Sequence, residues 1–368
     1  MESLENIQRR CGELGLATDP KYRFRFGPLG LPISAAEKSE LEEIGRAAAD
    51  YLRAVDHWYH GLRESPRGSP WCAILHKGVP GDILSLPWRD RLPTTFMVDT
   101  TWTVHGWRVV EIDATNRNAF GFPIVMRQLY QLPSLWEGID VAWRRAGWSG
   151  VTQIMARLHR FYVPYFRAFL RRVDGRLIAE DGGTPEKAGL GPFLDLPILY
   201  WNKPVLERLL ERGKEADIFG IPPKHYLGSK AALTLPWEEE FFREHPITKY
   251  LPQAHLLQRS RPRPPGEFMI KLLQSNGSHG VFMNDAARLA AFGQERRAQA
   301  IWQTKLPRIK RRIMGYDETG ATQEYERYIR VSIFVTADGT VVDADATACD
   351  TEIVHGGVDA ILTVPVAA

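Results

Sequence analysis

Two runs of alternating side chains, 94–99 (TTFMVD) and 107–113 (WRVVEID), flank a His105-Gly106 turn and read as a β-hairpin. Side chains alternate across a strand, so Glu111 and Asp113 share one face while Ile112 takes the other. Closing the hairpin brings Asp99 beside them. Three carboxylates on one face repel one another unless a cation sits among them, and hard oxygen donors suit Mg²⁺ bridging phosphate oxygens. Acidic residues on the wet face of an edge strand would leave the same pattern.

A second constellation lies further on. Lys271 occupies a strand-like run (FMIKLL) that leads into QSNGSHGVFM, where Gly277, Ser278, His279 and Gly280 form a turn short enough for backbone N–H groups to close over phosphate oxygens. GxxxxGK[ST] is absent, so this is no Walker loop. An ordinary hairpin turn preceded by a lysine looks the same. Asp343 and Asp345 (VVDADAT) are a second same-face acidic pair and a rival for the metal, read here as a solvated face. The basic run 305–312 (KLPRIKRR) is likewise read as a solvated face.

Charge and composition remove several classes. With 47 basic against 44 acidic side chains, nucleic acid is not the expected partner. Hydrophobic residues at 44% and charged residues at 25% fit a soluble globular protein. Cys11, Cys72 and Cys349 form no CxxC motif, and the histidines show neither HxH nor HExxH spacing, so neither a disulfide framework nor a zinc site is expected. GxSxG is missing. The start of the chain lacks a secretory pattern and no run reaches the ~20 apolar residues of a membrane span, so a cytoplasmic protein without membrane contact is expected.

Helices and strands alternate irregularly along the rest. Ser34 followed by Glu37 is a capping box that opens a helix over 35–63. Aromatic stripes including Trp143, Tyr162 and Tyr165 predict core-packed helices over 135–173, broken near Gly147 to Gly150. A strand at 196–201 and helical segments at 203–212 and 229–245 follow. Strands are predicted at 267–273, 280–283, 300–303, 328–335 and 340–345, with a helix over 286–298. The class is α+β, with mixed or antiparallel sheets and surrounding helices. Gly- and Pro-rich stretches divide the chain into 1–90 (helical), 91–195 (acidic hairpin and helices) and 196–368 (strand-rich).

Taken in order, these segments resemble the glutathionylspermidine synthase-like, circularly permuted ATP-grasp family. FMVDTTWTVHGWRVVEIDATNRNAFGFP resembles its RFD followed by EYNADTP, and YLGSKAALTLPWEEEFFREHPITKYL its NKA segment running to HP and LLP. FMIKLLQSNGSHGVFM is similar to its VKP strand and glycine loop, AIWQTKLP to its IYQQL, and the tail to its closing strands. The similarity covers about 90–125 and 195–368.

The resemblance implies an ATP-grasp-like fold and an ATP- and Mg²⁺-dependent ligase that joins a small-molecule carboxylate to an amine through an acyl phosphate, with 1–90 on the substrate side and 196–368 as the nucleotide-binding lobe and closing strands. Asp99, Glu111 and Asp113 would hold Mg²⁺, Lys230 and Lys271 the ATP phosphates, and Gly277 to Gly280 would cover them. Ile301, Trp302 and Gln303 would lie along the adenine. Met97 stands where the family has the arginine of RFD, the family's last arginine falls near Thr347 or Ala348, and Asp113 replaces asparagine. Arg330 or Arg117 is the expected replacement for the lost positive charge, and the acid substrate is expected to differ from glutathione. A catalytically inactive binding or scaffold protein and a kinase-like phosphotransferase are the alternatives, and a homo-oligomer is left open.

Overall fold

The computed structural model describes residues 3–16, 24–64, 69–77, 91–115, 120–155, 162–179, 219–222, 224–257, 267–273, 280–283, 299–354 and 359–368. Its first half comprises α1 (Leu4–Glu13), β1 (Arg25–Phe26), β2 (Leu31–Ile33), α2 (Ala35–Glu64), α3 (Pro70–Leu75), β3 (Thr95–Thr103), β4 (Gly106–Asp113), α4 (Phe122–Tyr130), α5 (Ile139–Arg145), β5 (Thr152–Met155), α6 (Val163–Arg172) and β6 (Arg176–Ala179). Short 3-10 turns and a four-residue α7 (Leu235–Glu238) between His225 and Lys249 lead to β7 (Ala254–Leu256), β8 (Phe268–Leu272), β9 (Val281–Met283), β10 (Ala300–Thr304), β11 (Lys310–Tyr316), β12 (Thr322–Thr336), β13 (Val341–Cys349), β14 (Ile361–Thr363) and β15 (Pro365–Ala367).

The hairpin β3–β4 forms as its alternation predicts, with Gly106 at φ 87° where a side chain would be strained. It is one end of a seven-stranded sheet ordered β1-β14-β13-β12-β3-β4, with β11 paired to β12. All neighbours in that sheet are antiparallel except β1 with β14, so the architecture is α+β. A four-stranded sheet, β7-β10-β8-β9, stands beside it, and β5-β6 and β15-β2 are small parallel pairs. All three lengths of chain marked out in the sequence contribute strands to the seven-stranded sheet.

Helix α2 covers one face of that sheet. The predicted capping box opens it: Glu37 N donates to Ser34 Oγ at 3.2 Å and Ser34 N to Glu37 Oε2 at 2.8 Å. Leu41, Ile44, Leu52 and Val55 pack in one core with Val98, Ile112, Val331, Ile333, Ala344 and Ala346. By strand alternation, the residues between these point to the opposite face, and they include Asp99, Glu111, Asp113, Arg330, Ser332, Asp343 and Asp345. A second core, containing Phe120, Trp143, Phe166, Phe169 and Phe334, fills part of that face beneath α5 and α6.

Several expectations need correction. Residues 135–173 are not all helical, because Thr152–Met155 pairs as a strand with Arg176–Ala179. Helix α4 was not anticipated. The basic run 305–312 enters β11, whose burial alternates, so only part of it is a solvated face. Asp343 and Asp345 are buried, at 1% and 3% exposure, where a solvated face was expected. The predicted segments 196–201, 203–212 and 286–298 lie outside the described residues. Among those described, no helix is long and apolar enough to cross a membrane.

Candidate active site

Strand register sets out the polar face row by row. Glu111 of β4 lies opposite Asp99 of β3, Asp99 opposite Ser332 of β12, and Ser332 opposite Asp345 of β13. In the next row Asp113 faces Met97, Phe334 and Asp343 in turn. The three carboxylates of the hairpin therefore share a face, as alternation requires. The register shifts between Asp99 and Thr100, which leaves Val110 without a cross-strand partner and forms a β-bulge beside Glu111.

The two lysines arrive from outside this sheet. Ser229 caps a 3-10 turn over Lys230–Thr234 by accepting from Ala231 N, and the turn packs against β4, β7 and β10. Its Lys230 Nζ lies 2.9 Å from Glu111 Oε1. Lys271 comes from β8 and donates to the carbonyl of Val110 at 2.8 Å. Both ammonium groups are buried, and Lys271 forms no ion pair among the described residues. Burial pushes its pKa down to about 8, an effect opposed by the charges of Glu111 and Asp99 and aided by Lys230 and Arg308.

Arg330 completes the cluster. Its Nη1 lies 3.7 Å from Asp99 Oδ2 and its Nη2 donates to Thr347 Oγ1 at 3.5 Å. Thr347 is its cross-strand partner, so the guanidinium stands beside the position where the resemblance lacks an arginine. Ser332 Oγ donates to Asp99 Oδ1 at 2.6 Å. Burial raises the pKa of Asp345 to about 7 against the opposing pull of Arg330, with Asp99 and Asp343 adding repulsion. Asp343 is occupied differently: Arg127 binds it through both terminal nitrogens, and Ile139 N donates to it at 3.2 Å. It is a structural tie between α4, α5 and β13.

The strand predicted to lie along an adenine is β10. Ile301 pairs with Lys271 and Gln303 with Met269, which puts Lys271, Ile301 and Gln303 on one face of the small sheet. The Gln303 amide is fully buried, and neither its oxygen nor its nitrogen has a partner among the described residues. Trp302 points the other way, against Phe268, Ile270 and the His255 ring, 4.7 Å between centroids. Gly280 accepts a 2.9 Å hydrogen bond from Leu272 N through its carbonyl. Gly277, Ser278, His279 and Arg117 lie outside the described residues.

The donor set suits magnesium in a restricted way. Asp113 Oδ1 is turned to Thr115 N at 3.2 Å within its own loop, while Asp99 and Glu111 face each other across the strands. Among the described residues no three His, Cys, Asp or Glu side chains are grouped to hold a metal ion. Mg²⁺ is usually bound by one or two carboxylates together with phosphate oxygens and water. The Asp99–Glu111 pair fits an ion arriving on a polyphosphate.

Sequence reasoning missed Ser332 and Arg308, and it named Asp345 as a rival for the metal but put it on a solvated face. Alternation in YIRVSIFV could have placed Ser332 on one face with Arg330, but only the pairing of distant strands puts Ser332 and Asp345 beside the Asp99 row. Arg308 was hidden in the basic run. It is half-buried, forms an isolated bridge with Thr103, and donates through Nη1 to the carbonyl of Glu352.

No family of known sequences matches this chain, and no curated protein is similar enough in sequence to align with it. Among solved structures it is similar to a glutathione synthetase-like effector from Globodera pallida in its apo form, with a TM-score of 0.62 at 12% identity over 99% of this chain and 97% of that one. The two share a fold. A protein from Methylobacillus flagellatus KT, provisionally described as a gamma-glutamylcysteine synthetase, aligns over 88% of this chain and 85% of its own at 12% identity, but its TM-score of 0.38 says nothing of the fold.

Proposed function

We propose that this chain is an ATP-dependent ligase that joins a carboxylate to an amine, with Mg²⁺, on a circularly permuted ATP-grasp-like fold. The observation that carries this reading is the meeting of Lys230 and Lys271 with Glu111 and Asp99: buried ammonium groups beside paired carboxylates, drawn from three separate parts of the chain. A glutathione synthetase-like architecture supports it at the level of fold.

Lys230 and Lys271 would hold the nucleotide phosphates, with β10 alongside the base. Asp99 and Glu111 would hold Mg²⁺, which when bound neutralises charge on the phosphate oxygens. The carboxylate of the acid substrate attacks the γ-phosphorus and ADP departs, leaving an acyl phosphate. An unprotonated amine then attacks the acyl carbon, and the tetrahedral intermediate expels inorganic phosphate as the amide forms. Negative charge gathers on the transferring group, and cations fixed in a water-poor site stabilise it more strongly than they could in water. Lys271 and Arg330 are so placed beside the acidic face.

A non-catalytic binding protein on the same fold is the second reading, favoured by the contacts that already match Glu111 with Lys230 and Asp99 with Arg330. Incubation with Mg²⁺, ATP and pools of amino acids, short peptides and polyamines separates the two. A ligase releases ADP and phosphate in equal amounts with an amide product. Release of ADP with the phosphoryl group retained on the product would identify a kinase, and no turnover with any pool would leave the binding protein.

A further inference from the structure

We propose that Arg308 is a second anion-binding residue of this site, gripping the oxygens of a phosphoryl group together with Arg330. The origin of that phosphoryl group rests on the ligase reading above; the anion site stands on strand geometry.

Asp99, Thr101 and Thr103 lie on one face of β3. Opposite them stand Ser332 and Arg330 of β12, and then, where Tyr328 is already paired with Lys310 of β11, Arg308 takes the place opposite Thr103. The two arginines are thus successive same-face neighbours, roughly 7 Å apart along the strand direction.

Among the described residues Arg308 has no carboxylate of its own. Arg308 donates to the Glu352 carbonyl, while the Glu352 carboxylate is 2.9 Å from Lys305 Nζ. Arg308 forms no ion pair among the described residues. Arg330 shares Asp99 at 3.7 Å and reaches the Val354 carbonyl at 3.5 Å, and its buried Nε has no partner among the described residues. Burial and the nearby Arg330 charge press the Arg308 pKa down to about 10, against the pull of Glu352. Lys271, equally without an ion pair, feels the charge of Arg308.

Desolvated cations without counter-ions call for an anion. Lys230 is matched by Glu111 and Arg330 by Asp99, whereas Lys271 and Arg308 form no ion pair among the described residues. A phosphoryl dianion can engage both cations, whereas a single carboxylate carries only one charge to share between them. Guanidinium forks also match phosphoryl oxygens in pairs.

Calorimetric titration of the full chain with inorganic phosphate, and separately with Mg²⁺·ADP, tests this in wild type, Arg308→Gln and Arg308→Lys, with circular dichroism checking the fold. Arg308→Gln is expected to weaken phosphate binding by about tenfold, the worth of a charge-assisted contact, and to leave ADP binding unchanged. Arg308→Lys should recover part of the loss. Unchanged phosphate affinity in Arg308→Gln, or absence of phosphate binding by wild type, overturns the assignment. Should Arg308→Gln not fold, wild-type phosphate affinity in Arg308→Lys overturns the forked contact. Arg308-dependent phosphate binding without ADP binding would sustain the anion site and remove the ligase reading; ADP binding with Arg308-independent phosphate binding would do the reverse.

Discussion

Lys271 Nζ donates a 2.8 Å hydrogen bond to the carbonyl of Val110, the residue left without a cross-strand partner by the bulge in β4. The irregularity that sits beside Glu111 therefore also anchors the lysine of the neighbouring sheet. One defect in a ladder joins the carboxylates to a cation more than a hundred and fifty residues away in sequence.

That joint predicts the behaviour of Lys271→Met. Loss of the hydrogen bond to Val110 is offset by removal of a buried charge, so urea unfolding should place the variant within about 1 kcal/mol of wild type. Its rate of ADP release should fall by at least about a hundredfold, as expected when a preorganised charge is removed from a phosphoryl-transfer site.

Glu111→Gln isolates the carboxylate. The Glu111 side chain is about one-third exposed, at 31%, and the amide oxygen can still accept from Lys230, so the melting temperature should move little. Turnover in the ADP-release assay should drop by about a hundredfold or more. Equal losses of stability and activity would mark Glu111 as structural.

Asp345 predicts a pH dependence. Its carboxyl has a pKa of about 7 in the folded chain against 3.8 as the reference, so between these values the folded state binds the extra proton. Stability from this group is present at low pH and is lost as pH rises through about 7. Asp345→Asn should therefore gain stability relative to wild type between pH 5 and pH 8, read from urea midpoints. A constant difference across that range would contradict the assignment.

A buried pair away from the site predicts a purely structural loss. Lys224 Nζ contacts both Asp56 oxygens at 2.8 and 2.9 Å, and Tyr226 Oη donates to the same carboxylate. This cluster ties α2 to the turn that precedes Lys230. Lys224→Ala strands the Asp56 carboxylate and should cost about 3–5 kcal/mol in urea unfolding.

Gly121→Ala tests the join between α4 and α6. A Cβ at this position would lie 1.7 Å from the Tyr165 carbonyl oxygen, which is backbone and cannot rotate away. The helices must separate, at a cost of about 1–3 kcal/mol or more, measurable as a lowered melting temperature.

Local pattern carried the sequence reading where structure is local. Alternation located β3 and β4 and put Asp99, Glu111 and Asp113 on one face; the Ser34–Glu37 box marked the start of α2. The same logic failed where partners are distant. VVDADAT alternates whether its acidic side faces water or protein, and only the strands on either side of β13, with α4 and α5 above it, bury Asp343 and Asp345. Likewise, KLPRIKRR carries one charge sign throughout, so nothing local separates the exposed Arg312 from Arg308.

What the amino-acid order determined by itself was which residue types share a strand face, because that depends on a two-residue period and short turns. Tertiary structure alone decided which faces meet: the β4 bulge that receives Lys271, the capped turn that delivers Lys230 to Glu111, and the bridge that puts Arg308 opposite Thr103. Each of these contacts closes a long loop, and a contact of that kind is selected by packing of the whole chain rather than by the residues that flank it.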